Sequence, residues 1–476
     1  MGKSEQLNLR ECIIGDRAFY GRVLTIVLPI IVQNTLTNVV SLLDNVMVGQ
    51  VGTLPMSGVA IVSQLLMVYY LSIWGSTAGA GIFGAQFFGR GDMDGVKHTF
   101  RFKLIISAAI SLAALAIFGF FGRALIAHYI AADTSSADTE LTLRHAMDYL
   151  EIMMIGLIPF GLTQCYAGTL RESGETVLPM KASLAAIAVN FVFNALLIFG
   201  LCGFPRLGVE GAAIATVLSR FVELAIILFS IHSRHDETYR KHRAQYAYFD
   251  GVYRAFFDIP GELVRSITAK SLPLLLNELL WSLGQAVLLQ CYSVRGIEVV
   301  AAMNICSTVA QIFNTAFLSL GNATGIIVGQ ELGADRLRDA RCTAWRMMVL
   351  SLASCVVMGL LLALCAPFIP MVYNVEHSIR TLAAELIRVC AVCMPLFGVA
   401  HCAFFTIRSG GKALMTFLFD SCFSWIVSVP AAYLLSHCSA LGIVEVYLAV
   451  CALDVIKCII GIALLKKGIW VKNIVK

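Results

Sequence analysis

Charged side chains are scarce in the apolar stretches of this 476-residue chain, and the few that occur there are its candidate chemistry. Asp44, Glu278 and Asp420 each lie in a long apolar run, as do the pairs Arg220/Glu223 and Asp454/Lys457. A charge in hydrocarbon is costly, so such residues default to ion paths, proton relays or ligand sites. Each pair is spaced i, i+3, which lets its charges neutralise each other on one helix and points to a role in packing. Asp44 has no countercharge in its own run. It closes a polar stripe of Asn34, Thr37, Asn38, Ser41, Asp44 and Asn45, with Gln33 beside it. Spacings of three and four put that stripe on one helical face. It lines a wet cavity or makes hydrogen bonds at a helix interface.

A second stripe holds Asn277, Glu278, Trp281, Ser282 and Gln285. Glu278 follows Lys270 by eight residues and Asp420 follows Lys412 by eight, a depth of roughly 12 Å for each in a helix. His401 precedes Arg408 by seven, or roughly 10 Å. Two carboxylates and a histidine at similar depth suit a proton relay, since burial favours the neutral carboxyl. Three separately satisfied polar groups are the alternative. Met67, Tyr69, Tyr70, Trp74, Trp281 and Trp425 are placed either to stack on a flat organic cation or to pack in the core.

Helices through a bilayer must position these residues. Only 14% of the chain is charged, against about 25% in a typical soluble protein, and mean hydropathy is +0.81. The expected fold class is therefore an all-α membrane protein. Apolar runs mark twelve transmembrane helices, at 23–48, 57–84, 100–121, 146–169, 178–200, 208–231, 268–292, 299–328, 344–367, 388–407, 413–435 and 442–464. Most Lys and Arg fall on one side, while the other side holds only Arg123, Arg144, Arg206, Arg295, Arg380 and Arg388. That bias puts both termini in the cytoplasm. The expected organisation is a cytoplasmic segment 1–22, an N-lobe 23–231, a cytoplasmic linker 232–267, a C-lobe 268–464 and a tail 465–476. No cleavable signal is expected before the first span. The net charge of +5 is spread over many loops and does not indicate nucleic acid.

The two lobes repeat each other. At an offset of 244, Leu28-Pro29 meets Leu272-Pro273, Gly52 meets Gly296, Gly81 meets Gly325, Gln86 meets Gln330 and Gly89 meets Gly333. At 237, Arg171 meets Arg408 and Gly174 meets Gly411; at 234, Leu207-Gly208 meets Leu441-Gly442. An even number of spans per lobe makes the repeat parallel, a pattern of transporters with a site at the junction. The acids break the repeat: Asp44 faces Leu288, Glu278 faces Asn34, and Asp420 faces Ser183.

The segments "LLDNVMVGQVG", "GAQFFGRGD", "TLRESGET", "NFVFNALLIFG", "LGVEGAAIATVLSR", "LSLGNATGIIVGQELGA" and "TIRSGGKA", in that order, resemble the multidrug and toxic compound extrusion (MATE) family over nearly the whole chain. The resemblance implies twelve helices in two lobes forming a V, and export of cationic, amphiphilic molecules in exchange for Na+ or H+. It implies that Asp44 is the first-lobe cation site, where a Na+ ion would fit, and that Pro29, with Pro273 as its counterpart, permits a helix bend. Asn190 and Asn194 match a fifth-span pair in which one branch of the family carries aspartate at the second position; here that position is Asn194. Another branch has acids in spans seven and ten. Glu278 fits the first of these. Span ten has His401 and no deep acid, and Asp420 is the available replacement.

The expected function is a secondary antiporter without a cofactor beyond its coupling cation. Asp44, Glu278, Asp420, Asn190 and Asn194 would couple, and Gln33, Asn34, Asn38, Trp281, Gln285, His401 and Trp425 would face substrate. The expected setting is a bacterial inner membrane, and the expected state a monomer. A lipid-linked saccharide flippase would line its cavity with arginines, yet Arg220 is the one arginine deep inside a span. A multispan enzyme would need an acid–base, metal or nucleophile constellation, and neither H-E-x-x-H nor G-x-S-x-G occurs. His232, His235 and His242 lie in the basic linker and read as solvated. Cys390 and Cys393 form C-x-x-C inside an apolar run and read as small buried hydrophobes; a disulfide framework is not expected.

Overall fold

The computed structural model describes residues 12–130, 136–233, 246–373 and 375–476, and among these it is helical with no strand. Thirteen long helical elements follow one another: α1 (Arg17–Gly49), α2 (Thr53–Arg90), α3 (Met93–Tyr129), α4 (Ser136–Ile155), α5 (Leu157–Glu172), α6 (Val177–Phe199), α7 (Val209–His232), α8 (Gly261–Ser293), α9 (Ile297–Gly333), α10 (Leu337–Cys365), α11 (His377–Ser409), α12 (Ala413–Cys438) and α13 (Ile443–Lys467). Eleven of them are each long and apolar enough to span a bilayer, and the bent pair α4–α5 makes a twelfth span. Within the bilayer every backbone N–H and C=O must be satisfied inside its own helix, which is why long apolar runs become helices.

The fourth expected span, 146–169, is not one straight rod. Its chain bends by 44° at the break between α4 and α5. Pro159 supplies the reason, because it offers no N–H to the carbonyl of Ile155 and its ring crowds that carbonyl. The helices also run past the expected span ends, as in α2, which continues to Arg90. Part of the expected linker, 234–245, lies outside the described residues, as do residues 1–11 of the segment 1–22.

Two compact units divide the chain. One comprises 1–31, 85–92 and 269–476; the other comprises 32–84 and 93–268. Helix α1 therefore begins in the first unit and ends in the second. In the second unit, Val62, Ile73, Ile126, Leu150, Leu157 and Ile198 form a dry core. There Arg101 holds the described part of the linker, donating to the carbonyls of Val252 (3.0 Å), Asp258 (3.1 Å) and Arg254 (2.7 Å). Lys103, 1% exposed, is fixed to the Glu172 carboxylate at 2.6 and 2.5 Å. That carboxylate lies against Gly81 and Gly84, where any Cβ would meet its oxygens.

In the first unit the last turn of α2 meets the last turn of α9. A Cβ on Gly89 would collide with the backbone carbonyl of Gln330, and one on Gly333 with that of Gln86. The repeat at 244 is thus a physical contact, made twice with roles exchanged. The loop glycines agree with it: Gly52 and Gly296 have φ of 148° and 127°, and Gly174 and Gly411 have 89° and 74°. A side chain at any of these four would be strained.

Candidate ion and substrate sites

Three of the expected first-lobe residues meet in the second unit. Helix α6 presents Asn190 and Asn194 one turn apart, both buried. Asn194 Nδ2 donates to Asp44 Oδ1 at 2.6 Å. With its amide oriented to satisfy its neighbours, Asn190 donates to the same carboxylate at 3.0 and 3.2 Å, and its oxygen accepts from Thr216 Oγ1 at 3.3 Å. Asn194 Oδ1 is buried and has no hydrogen-bond partner among the described residues. A carboxylate beside a spare amide oxygen is a hard-oxygen arrangement of the kind that ligates a small cation or stabilises a carboxyl proton. No group of three or more His, Cys, Asp or Glu suited to a metal occurs among the described residues.

Arg220 belongs to this neighbourhood, although sequence placed it only in a self-neutralising pair. It does pair with Glu223, at 3.6 Å. Its guanidinium also lies over the Phe160 ring at 5.1 Å, and its charge acts on Asp44 and Tyr70. Asp44 is therefore balanced in part by a cation on α7, one that periodicity within α1 could not reveal.

The second-lobe candidates gather differently from the simple convergence of Glu278, Asp420 and His401. Asp420 Oδ1 accepts from Lys457 Nζ at 3.2 Å, and its Oδ2 accepts from Asn277 Nδ2 at 3.2 Å. Lys457 also lies 3.7 Å from Asp454, so the expected Asp454/Lys457 pair is one side of a triad. Ser421 ties α12 to α8 by donating to the Asn277 carbonyl at 2.9 Å. The backbone around Asp420 is π-helical over Leu418–Cys422 and again over Ser424–Ser428. Such wide turns take an extra residue and re-aim the side chains beyond them, and they recur at functional sites.

Glu278 lies within electrostatic reach of Asp420 and Arg408. His401 pairs its Nδ1 with the Phe397 carbonyl at 2.9 Å, and its ring packs on Phe317 at 4.7 Å. It is bonded to its own helix, while the charges of Asp420, Lys457 and Asp454 act on it.

The expected substrate-facing residues are divided between the units. Gln33 is buried, and Asn34 and Asn38 are half-buried on α1. Trp281 and Gln285 are exposed on α8. Trp425 donates from Nε1 to the Leu280 carbonyl at 2.9 Å and packs on Gly284. Pro29 and Pro273 sit inside continuous helices. Cys390 and Cys393 are buried and free. Sequence reasoning missed a disulfide between Cys12 and Cys342, which no local spacing announces because 330 residues separate them.

Comparison with known proteins gives these sites a context. The MatE family model matches residues 29–196 and 273–434. The "Probable multidrug resistance protein YoeA" of Bacillus subtilis is 25% identical over 431 residues, covering 88% of this chain and 87% of its own. The "Probable multidrug resistance protein NorM" of Thermotoga maritima is 22% identical over 451 residues, covering 94% and 92%. Among solved structures, the outward-facing conformation of a multidrug resistance MATE family transporter of the MOP superfamily superposes with a TM-score of 0.83 at 18% identity, covering 98% of this chain and all of that one. A MOP superfamily transporter from Pyrococcus furiosus superposes with a TM-score of 0.81 at 18% identity, covering 98% of each. The fold is the two-lobe fold of those structures, and the matched segments coincide with the two copies of the internal repeat. The chain belongs to the MatE family of multi-pass membrane transporters, the multidrug and toxic compound extrusion family.

Proposed function

We propose that the protein is a secondary antiporter that exports cationic or amphiphilic organic molecules in exchange for Na+ or H+. Asp44 with Asn190 and Asn194 is the first-lobe coupling site, and Glu278 with Asp420 serves the second lobe. Gln33, Asn34 and Asn38 in one unit, and Trp281, Gln285, His401 and Trp425 in the other, contact substrate. The protein works as a monomer in the bacterial inner membrane with both termini cytoplasmic, and the only cofactor is the coupling cation.

The observation that carries this reading is the Asp44 carboxylate, bonded by Asn194 at 2.6 Å and by Asn190, beside a buried amide oxygen that no described residue satisfies. A cation bound there would be held by the Asp44 carboxylate, with the buried Asn194 amide oxygen available beside it. Burial strengthens its attraction to the carboxylate relative to water. Coupling follows if cation and substrate favour opposite-facing states, since a ligand shifts an equilibrium only by its differential affinity for the two. The test is ethidium efflux from proteoliposomes under imposed Na+ or H+ gradients. Wild type is expected to move the dye uphill and Asp44→Asn to lose that movement while still binding the dye. Unchanged uphill efflux in Asp44→Asn would overturn the site assignment.

A further inference from the structure

Asp420 meets Lys457 and, through it, Asp454, a grouping that the coupling role of Asp420 does not by itself explain. Lys457 is 8% exposed and sits 3.2 Å from one carboxylate and 3.7 Å from the other. Two carboxylates against one ammonium leave one excess negative charge. A bare excess charge in a low-dielectric setting is costly, so a cation must fill it. We propose that the Asp420–Lys457–Asp454 triad is a second-lobe proton site in which one proton is shared by the two carboxylates and Lys457 is a built-in counter-ion that keeps Na+ out.

The exclusion of Na+ follows from position. A sodium ion touching Asp420 would stand close to the Lys457 ammonium. Two like charges that close repel strongly even where the surroundings screen them in part. Asn277 donates its amide nitrogen to Asp420, so it presents no oxygen there in exchange. A proton needs no coordination shell and no separate seat. It joins a carboxylate oxygen directly, which leaves the ammonium one ionised partner.

The surrounding groups leave this assignment intact. From α8 the site faces Asn277 and Glu278, and Glu278 is within range of the Arg408 charge. From α11 it faces His401, whose Nδ1 is engaged by the Phe397 carbonyl, and the Cys393 thiol. From α13 itself come the thiols of Cys451 and Cys458. Phe423 lies under the Lys457 ammonium at 5.4 Å. Lys457 is thus the cation paired with both aspartates.

This inference rests on the cation-coupled reading but is tested without transport. The measurement is the carboxylic-acid C=O infrared band of the full chain in detergent, titrated with pH in the Asp44→Asn/Glu278→Gln background. The expected result is a band that is lost in Asp420→Asn and equally lost in Asp454→Asn, because either change restores one carboxylate to one ammonium. Coupled carboxylates titrate as a pair, so the loss belongs to neither residue alone. Loss in only one of the two variants, or in neither, would overturn the shared proton. Radiolabelled sodium is the second arm. The background protein is expected to bind none, and adding Asp454→Asn with Lys457→Met, which leaves a lone carboxylate and an open seat, is expected to create binding. Asp420-dependent sodium binding while Lys457 is present would overturn the exclusion. Failure of gradient-driven dye efflux with the band behaving as expected would remove the antiport reading and leave the proton site standing.

Discussion

Gly89 rests on the backbone carbonyl of Gln330, so closely that a single added carbon could not be housed. The repeat-related pair, Gly333 and Gln86, makes the same contact with roles reversed. Small residues let helix backbones approach in this way in membranes, where packing rather than hydrophobic exclusion drives association.

Gly89→Ala and Gly333→Ala should therefore each force the ends of α2 and α9 apart. The expected cost is about 1–3 kcal/mol each, the range for overpacking a tight contact. Thermal unfolding of the detergent-solubilised protein would show it as a lowered midpoint. Gly91→Ala is the companion substitution for crowding, since nothing lies within 4 Å of a Cβ there, although its φ of 80° adds backbone strain of its own.

Gln86 ties the residues after α13 to this crossing. It donates to the carbonyls of Ser409 (2.9 Å) and Lys472 (3.3 Å) and accepts from the Ile474 N–H (2.9 Å). Arg90 donates to the Val475 carbonyl nearby. Gln86→Leu fills similar space without these bonds. It should leave buried backbone groups unpaired at about 1–3 kcal/mol for each group. Limited trypsin digestion is expected to cut after Lys472 faster in Gln86→Leu than in wild type; equal rates would show that the tail is held by other contacts.

Glu172→Ala should be among the most damaging single changes. It strands the Lys103 ammonium, which is 1% exposed and, among the described residues, bonded otherwise only to Thr169 Oγ1 at 3.1 Å. Breaking a buried ion pair from one side costs about 3–5 kcal/mol. Lys103→Met combined with Glu172→Leu removes both charges and should recover much of that loss in the same unfolding assay.

What was legible in the sequence was whatever repeats along one helix. The spans followed from apolar length, and the paired glycines Gly52/Gly296 and Gly174/Gly411 turned out to share left-handed backbone. Asp44 was legible as an acid without a countercharge in its apolar run, and Asn190 and Asn194 as candidates through the family resemblance. The partners were not. Arg220 reaches Asp44 and Lys457 reaches Asp420 across helices, and helical periodicity carries no information about a neighbouring helix. Two π-helical segments on α12 shift the side-chain register that a 3.6-residue period assumes, which hid the Asp420–Lys457 bond. The break at Gly156 was concealed because apolar composition continues through it; Pro159 was the available signal. The Cys12–Cys342 bond joins residues that only the fold brings together.

Glu278→Gln separates the second lobe from the first. If Glu278 takes part in coupling, this substitution should lower the rate of gradient-driven ethidium efflux from proteoliposomes without abolishing dye binding. An unchanged rate would assign second-lobe coupling to the Asp420 group alone.

The most direct measurement for the central claim is uphill ethidium efflux from proteoliposomes carrying wild type or Asp44→Asn, driven in turn by a Na+ gradient and by an H+ gradient. At least one gradient is expected to drive efflux by wild type and neither to drive it through Asp44→Asn, although the variant still binds dye. Uphill efflux through Asp44→Asn at the wild-type rate, or no gradient-driven efflux by wild type at all, would contradict it.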